Sequence, residues 1–120
     1  MASARRPLEI EDLASSYHLR FLDENPLLVA SLQKVVMAAA AVAKASRDPH
    51  SRGFFSSETK LEKASRQLKE AMLVASSRAQ QAYGVSNLES SKLLKLSIDA
   101  FRVRYPNWPD AYAVIDHILS

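Results

Sequence analysis

Three histidines, at positions 18, 50 and 117, are the residues best suited to metal ligation or to proton transfer near neutral pH. None lies in the His-Glu-x-x-His spacing, which sets two imidazoles on one helix face around zinc. No two are four residues apart, and the Glu-x-x-His pair of di-iron bundles is absent. Asp48-Pro49-His50 and Asp116-His117 are isolated neighbours, so all three read as ordinary surface histidines. Cysteine is absent, which removes disulfides and thiolate metal sites and fits a reducing, intracellular and cytoplasmic setting. No serine sits in Gly-x-Ser-x-Gly, and the chain has only two glycines, too few for a phosphate-cradling loop. Carboxylates fall mostly at helix starts or on polar faces. These residue types in these places predict no enzyme, no metal and no cofactor.

The elements that carry these residues are well punctuated. Prolines at 7, 26, 49, 106 and 109 and glycines at 53 and 84 lie between periodic segments or in first helical turns. Helices are predicted at about 7–22, 26–46, 57–83, 87–105 and 108–119. In the first, Ile10, Leu13, Ala14, Tyr17 and Phe21 repeat at three and four, with Glu9, Glu11 and Asp12 near the positive end of the dipole. The second opens at Asn25-Pro26, an N-cap followed by a proline suited to the first turn. Residues 35–43 contain nothing polar. A helix apolar on nearly every side is central in a bundle or lies in a membrane. This run falls short of the roughly 20 apolar residues a span needs, is alanine-rich and follows Lys34, so it reads as the central helix.

The third helix has the cleanest stripe: Leu61, Ala64, Leu68, Ala71, Met72, Ala75, Ala79, Ala82 and Tyr83. Ser57 or Ser56 is its expected N-cap and Gly84 its stop. The fourth has a capping-box pair in Ser86 and Glu89 and two apolar rows. One row is Leu94, Ile98, Phe101 and Tyr105; the other is Leu93, Leu96, Ala100 and Val103. A narrow polar strip of Lys92, Lys95, Asp99 and Arg102 completes it. In the last helix Trp108, Ala111, Tyr112, Ile115, Ile118 and Leu119 share a face, and Trp108 and Tyr112 are expected in the core. At 120 residues and 48% hydrophobic there is material for one core and not for two. The expectation is an all-α, compact bundle of four to five antiparallel helices spanning 7–120 as one domain, with residues 1–6 a flexible end. The N-terminus fits neither a secretory signal nor a transit peptide, because acids follow Arg5-Arg6 where an apolar run would be needed.

Net charge is +3. Residues 1–25 carry −2, 26–57 carry +3, 58–84 carry +2 and 85–120 are neutral, so the mild excess lies mid-chain. The lysines and arginines of the third helix alternate with Glu58, Glu62 and Glu70, as on a solvated face. Arg5, Arg6, Lys44, Arg47 and Arg52 form a looser basic set that nucleic-acid binding would use.

Two features point to protein partners. Phe54 and Phe55 stand beside Arg47, Arg52 and His50 in a loop with no period. Aromatics with arginine are enriched at binding hot spots, although both rings could instead fold back to close the bundle. Leu73 and Val74 lie about 80–100° beyond the edges of the third helix's stripe. With Leu96 and Val103 they give more apolar surface than a five-helix core needs, and the simplest partner for such surface is a second copy of the chain. The sequence therefore predicts a non-enzymatic interaction module, self-associating as a homodimer or larger, with no membrane. Its partner-binding residues are Phe54, Phe55, Arg52, Leu73, Val74, Leu96 and Val103. A nucleic-acid-binding helical protein is the alternative.

Overall fold

The computed structural model describes residues 16–52, 57–84 and 90–120. Five helices carry them: α1 (Ser16–Asp23), α2 (Pro26–Ala45), α3 (Lys60–Tyr83), α4 (Ser90–Arg104) and α5 (Pro109–Leu119). The described chain is all-α, and its only extended pairing is a single bridge between Arg52 and Thr59. Arg5, Arg6, Phe54, Phe55 and the Ser86–Glu89 pair lie outside the described residues.

Prolines open α2 and α5 at their first turn, where the missing N–H leaves no helical bond unmade. Asn25 precedes Pro26 as expected, but its side chain does not cap α2. Its Nδ2 donates back to the Phe21 carbonyl at 2.7 Å and closes the end of α1 instead. The start of α3 also differs from expectation. Thr59, not Ser57 or Ser56, is the N-cap: its Oγ1 accepts from the Glu62 N–H at 3.0 Å, while the Glu62 carboxylate accepts from the Thr59 N–H at 2.8 Å. This reciprocal box satisfies two helix-end donors, and the backbone bond from Thr59 holds the Glu62 carboxyl below its usual range. Gly84 ends α3 with φ +70°, a left-handed residue that glycine adopts without a Cβ penalty.

The core is centred on α2, which packs against all four other helices and most extensively against α3. Leu28, Leu32, Val35, Val36 and Ala39 face Leu68, Met72, Ala75 and Ala79, with Leu22, Leu94, Ile98, Phe101, Ala111, Tyr112 and Ile115 completing one cluster. Fully buried alanines at 39, 75 and 79 let the α2 and α3 backbones approach closely. Burial of a Leu- or Ile-sized side chain contributes about 1.5–3 kcal/mol, so this cluster is the main source of stability. Phe21 stacks on Tyr83 at 4.2 Å and joins α1 to α3. Arg104 pairs with Asp23, and Arg102 donates to both Asp116 oxygens at 2.8 Å, joining α4 to α1 and to α5.

As a whole, α2 is longer than its wholly apolar run suggested. At 20 residues and a mean hydropathy of 1.7 it is long and apolar enough to cross a bilayer, and in this fold 33% of that window is buried against other helices. Asp99, expected on a polar strip, is buried at 8% exposure. Trp108, expected in the core, is 42% exposed.

Candidate interaction surfaces

Leu73 is 72% exposed and Val74 50%, so the departure from the α3 stripe places both outside the core. Leu73 lies in an open groove of about 440 Å³ with Lys69, Met72, Ser76, Leu94, Ile118 and Leu119. Two of its neighbours come from the last turn of α5, where Ile118 is also exposed. The groove is thus an apolar hollow between α3, α4 and the end of α5, with Lys69 as its one charged wall. Leu96 and Val103 do not join it. At 100° per residue they lie about 160–180° around α4 from Leu94, the residue that does. Their row divides: Leu93 and Ala100 pack on the core, Leu96 is half-buried and Val103 is exposed.

Arg47 and Arg52, the two described arginines among the predicted residues, are held within the fold. Arg52 donates from Nη1 to the Ser57 carbonyl and braces its own loop. Arg47 reaches Asp110 at 3.3 Å, joining the end of α2 to the start of α5; both side chains are well exposed, and such pairs contribute about 0–1 kcal/mol. Lys44 is different. It lines an open groove of about 450 Å³ with Lys60, Lys63, Asp48 and Ser51, and none of the three lysines has an ion-pair partner among the described residues.

A third surface was not foreseen. Val29, Gln33, Val36 and Met37 of α2 meet Phe101, Tyr105 and Trp108 around a notch of about 120 Å³. Tyr112 donates its hydroxyl to the Tyr105 carbonyl at 2.6 Å, fixing the chain that enters α5. Phe101 and Tyr105 pack ring against ring at 4.7 Å. Beyond Trp108 a second hollow continues along α2, lined by Ala40, Ala43, Lys44, Arg47, Asn107, Pro109, Asp110 and Ala111. A helix apolar on nearly every side must be covered almost all round or leave apolar side chains in water. Met37, at 54% exposure, shows that α2 does the second.

Among the described residues no three His, Asp or Glu side chains gather closely enough to hold a metal ion. Burial raises the Asp99 carboxyl above its usual range, against the opposing pull of Lys95 and Arg102. Burial likewise raises the Tyr112 phenol, whose ring lies 4.7 Å beneath the Arg102 guanidinium. Neither lines a hollow described above. No known family, curated protein or solved structure matches the chain.

Proposed function

We propose that the protein is a non-enzymatic helical interaction module, an adaptor, scaffold or inhibitor, that associates with itself through the groove around Leu73. The observation that carries this reading is the exposure of Leu73 inside a hollow walled by Met72, Leu94, Ile118 and Leu119. A leucine held in water beside four apolar side chains gains by burial against a like surface. A twofold pairing sets each Leu73 against the partner's groove and satisfies both with one contact.

Size-exclusion chromatography with light scattering tests it. The expected mass is twice the 13.3 kDa chain at tens of micromolar. Leu73→Asp and Ile118→Asp are expected to return the monomer with helical circular dichroism unchanged. A wild-type monomer at that concentration, or variants that keep the dimer, would remove the reading.

Nucleic-acid binding is the second reading, favoured by the lysines at 44, 60 and 63 around one groove, which have no ion-pair partner among the described residues. Affinity from phosphate contacts falls steeply with salt. Retention of an oligonucleotide at low salt, lost in Lys60→Glu/Lys63→Glu, is the expected result. No retention at low salt sinks it.

A further inference from the structure

We propose that the seam between α2 and the α4–α5 junction is a second, separate docking site, whose occupant is an amphipathic helix with acidic residues at one end. The two hollows that share Trp108 form one track along α2. From Val29 to Lys44 it covers fifteen residue steps, about 22 Å, or four turns of a docked helix. The track has three zones. Its first is the aromatic notch. An engineered cavity of about 150 Å³ holds benzene, so a notch of about 120 Å³ takes one side chain the size of Leu, Met or Phe. Its middle is floored by Ala40 and Ala43, small residues that let a partner backbone come close. Its end is basic, with Lys44 and Arg47.

That basic end selects the occupant. Among the described residues Asp110 is the only acid lining the track, and its bond to Arg47 is an exposed pair that an incoming carboxylate displaces at little cost. Lys44 has no ion-pair partner among the described residues. A helix bearing Glu or Asp at that end meets both cations, whereas one bearing Lys there meets repulsion. An apolar anchor in a pocket with charge at the rim is the pattern of helix-in-groove recognition. The surface is distinct from the Leu73 groove; no residue lines both.

Trp108 is the only tryptophan in the chain, so its emission reports on the track. The probes are two synthetic 15-residue helical peptides with the same Leu stripe, one ending in a Glu pair and the other in a Lys pair. The full-length protein is expected to show a saturable blue shift with the Glu peptide and at least tenfold weaker binding of the Lys peptide. Met37→Glu weakens the Glu peptide at least tenfold, and Lys44→Glu abolishes the preference. Leu73→Asp leaves both affinities unchanged even where it makes the protein monomeric, which separates this site from the self-association groove. All three substituted side chains are exposed, and circular dichroism checks that the variants are folded. Equal affinity for the two peptides, or an unmoved Trp108 spectrum, overturns the proposal. So does displacement of the peptide by an 18-nucleotide DNA strand, which assigns the track to nucleic acid. So does conversion of a wild-type dimer to monomer by Met37→Glu, which assigns it to a second copy.

Discussion

The Leu73 groove and the Trp108 seam are both apolar hollows at the ends of α5, yet they arise from opposite sequence patterns. Leu73 stands out because α3 is strongly amphipathic: one apolar residue beyond a clean stripe is visible against its polar neighbours. Met37 is harder to see because α2 marks its outer side with only Gln33, Lys34 and Lys44, set among alanines and larger apolar residues. The contrast teaches that an exposed apolar side chain is readable only where the helix around it declares which side is out. The two surfaces also differ in charge. Lys69 alone borders the first, whereas the second ends at Lys44, Arg47 and Asp110. The first therefore suits a like surface and the second a partner of opposite sign.

The variant that most severely tests their independence lies beneath both. Ile115 is fully buried in α5, which with α4 supplies residues to each hollow, Trp108 leading into it and Ile118 near its end. Ile115→Ala is expected to cost about 2–5 kcal/mol of unfolding free energy in urea titrations. Loss of both surfaces together means that α5 docks as one unit; loss of one alone means that its two ends are held separately. Leu73→Asp, by contrast, is expected to shift stability by no more than about 0.5 kcal/mol at a dilution where both proteins are monomeric, because the side chain is then in water. If it destabilises as much as Ile115→Ala does, Leu73 is core and the comparison fails.

Much of this fold is legible in the sequence. Pro26, Pro109 and Gly84 mark the boundaries of α2, α5 and α3 to within a residue, because each acts through its own backbone restriction and needs no tertiary partner. The start of α3 moved from Ser57 to Thr59 because the deciding residue is Glu62, three positions on, which only Thr59 can pair with. Asp99 departs from expectation for another reason. Apolar rows flank the polar strip of α4 on both sides, so no face is plainly solvent, and the packing of neighbouring helices decides which polar group is enclosed. Of the predicted partner-binding residues, Leu73 lies in a hollow, Val74 and Val103 are exposed away from it, and Leu96 is half-buried. Arg52 is engaged by its own loop, a hydrogen bond that a pattern of residue types does not contain.

Thr59 offers a perturbation remote from both hollows. Removing its hydroxyl leaves the Glu62 N–H without its partner, and such caps contribute about 0.5–2 kcal/mol. Thr59→Ala is therefore expected to lower the urea midpoint by an amount in that range. Oligomeric mass and Trp108 emission should stay as in the wild type, since neither Thr59 nor Glu62 lines either hollow. A change in either readout means that the start of α3 is coupled to the surfaces and that they are not local features.

The smallest effect expected is a pH dependence at the α4–α5 contact, which lies between the two hollows. Asp99 is buried one turn before Arg102, the residue that grips Asp116 and covers Tyr112. Its carboxyl titrates above the usual range in the folded protein because burial disfavours its charge. The folded state then binds the proton more readily than the unfolded state does. Stability accordingly falls as pH rises from the ordinary aspartate value, about 3.9, through the raised one. Asp99→Asn removes the ionisable group, so the variant should melt above the wild type at pH 7. The gap should narrow as pH drops and close once the wild-type carboxyl is protonated in both states. A variant that melts below the wild type at pH 7 would mean that the attraction of Lys95 and Arg102 outweighs desolvation. Asp99 would then act as a charged group beside Arg102, the residue that grips Asp116. In that case acid, rather than neutral pH, would loosen the joint that both surfaces share.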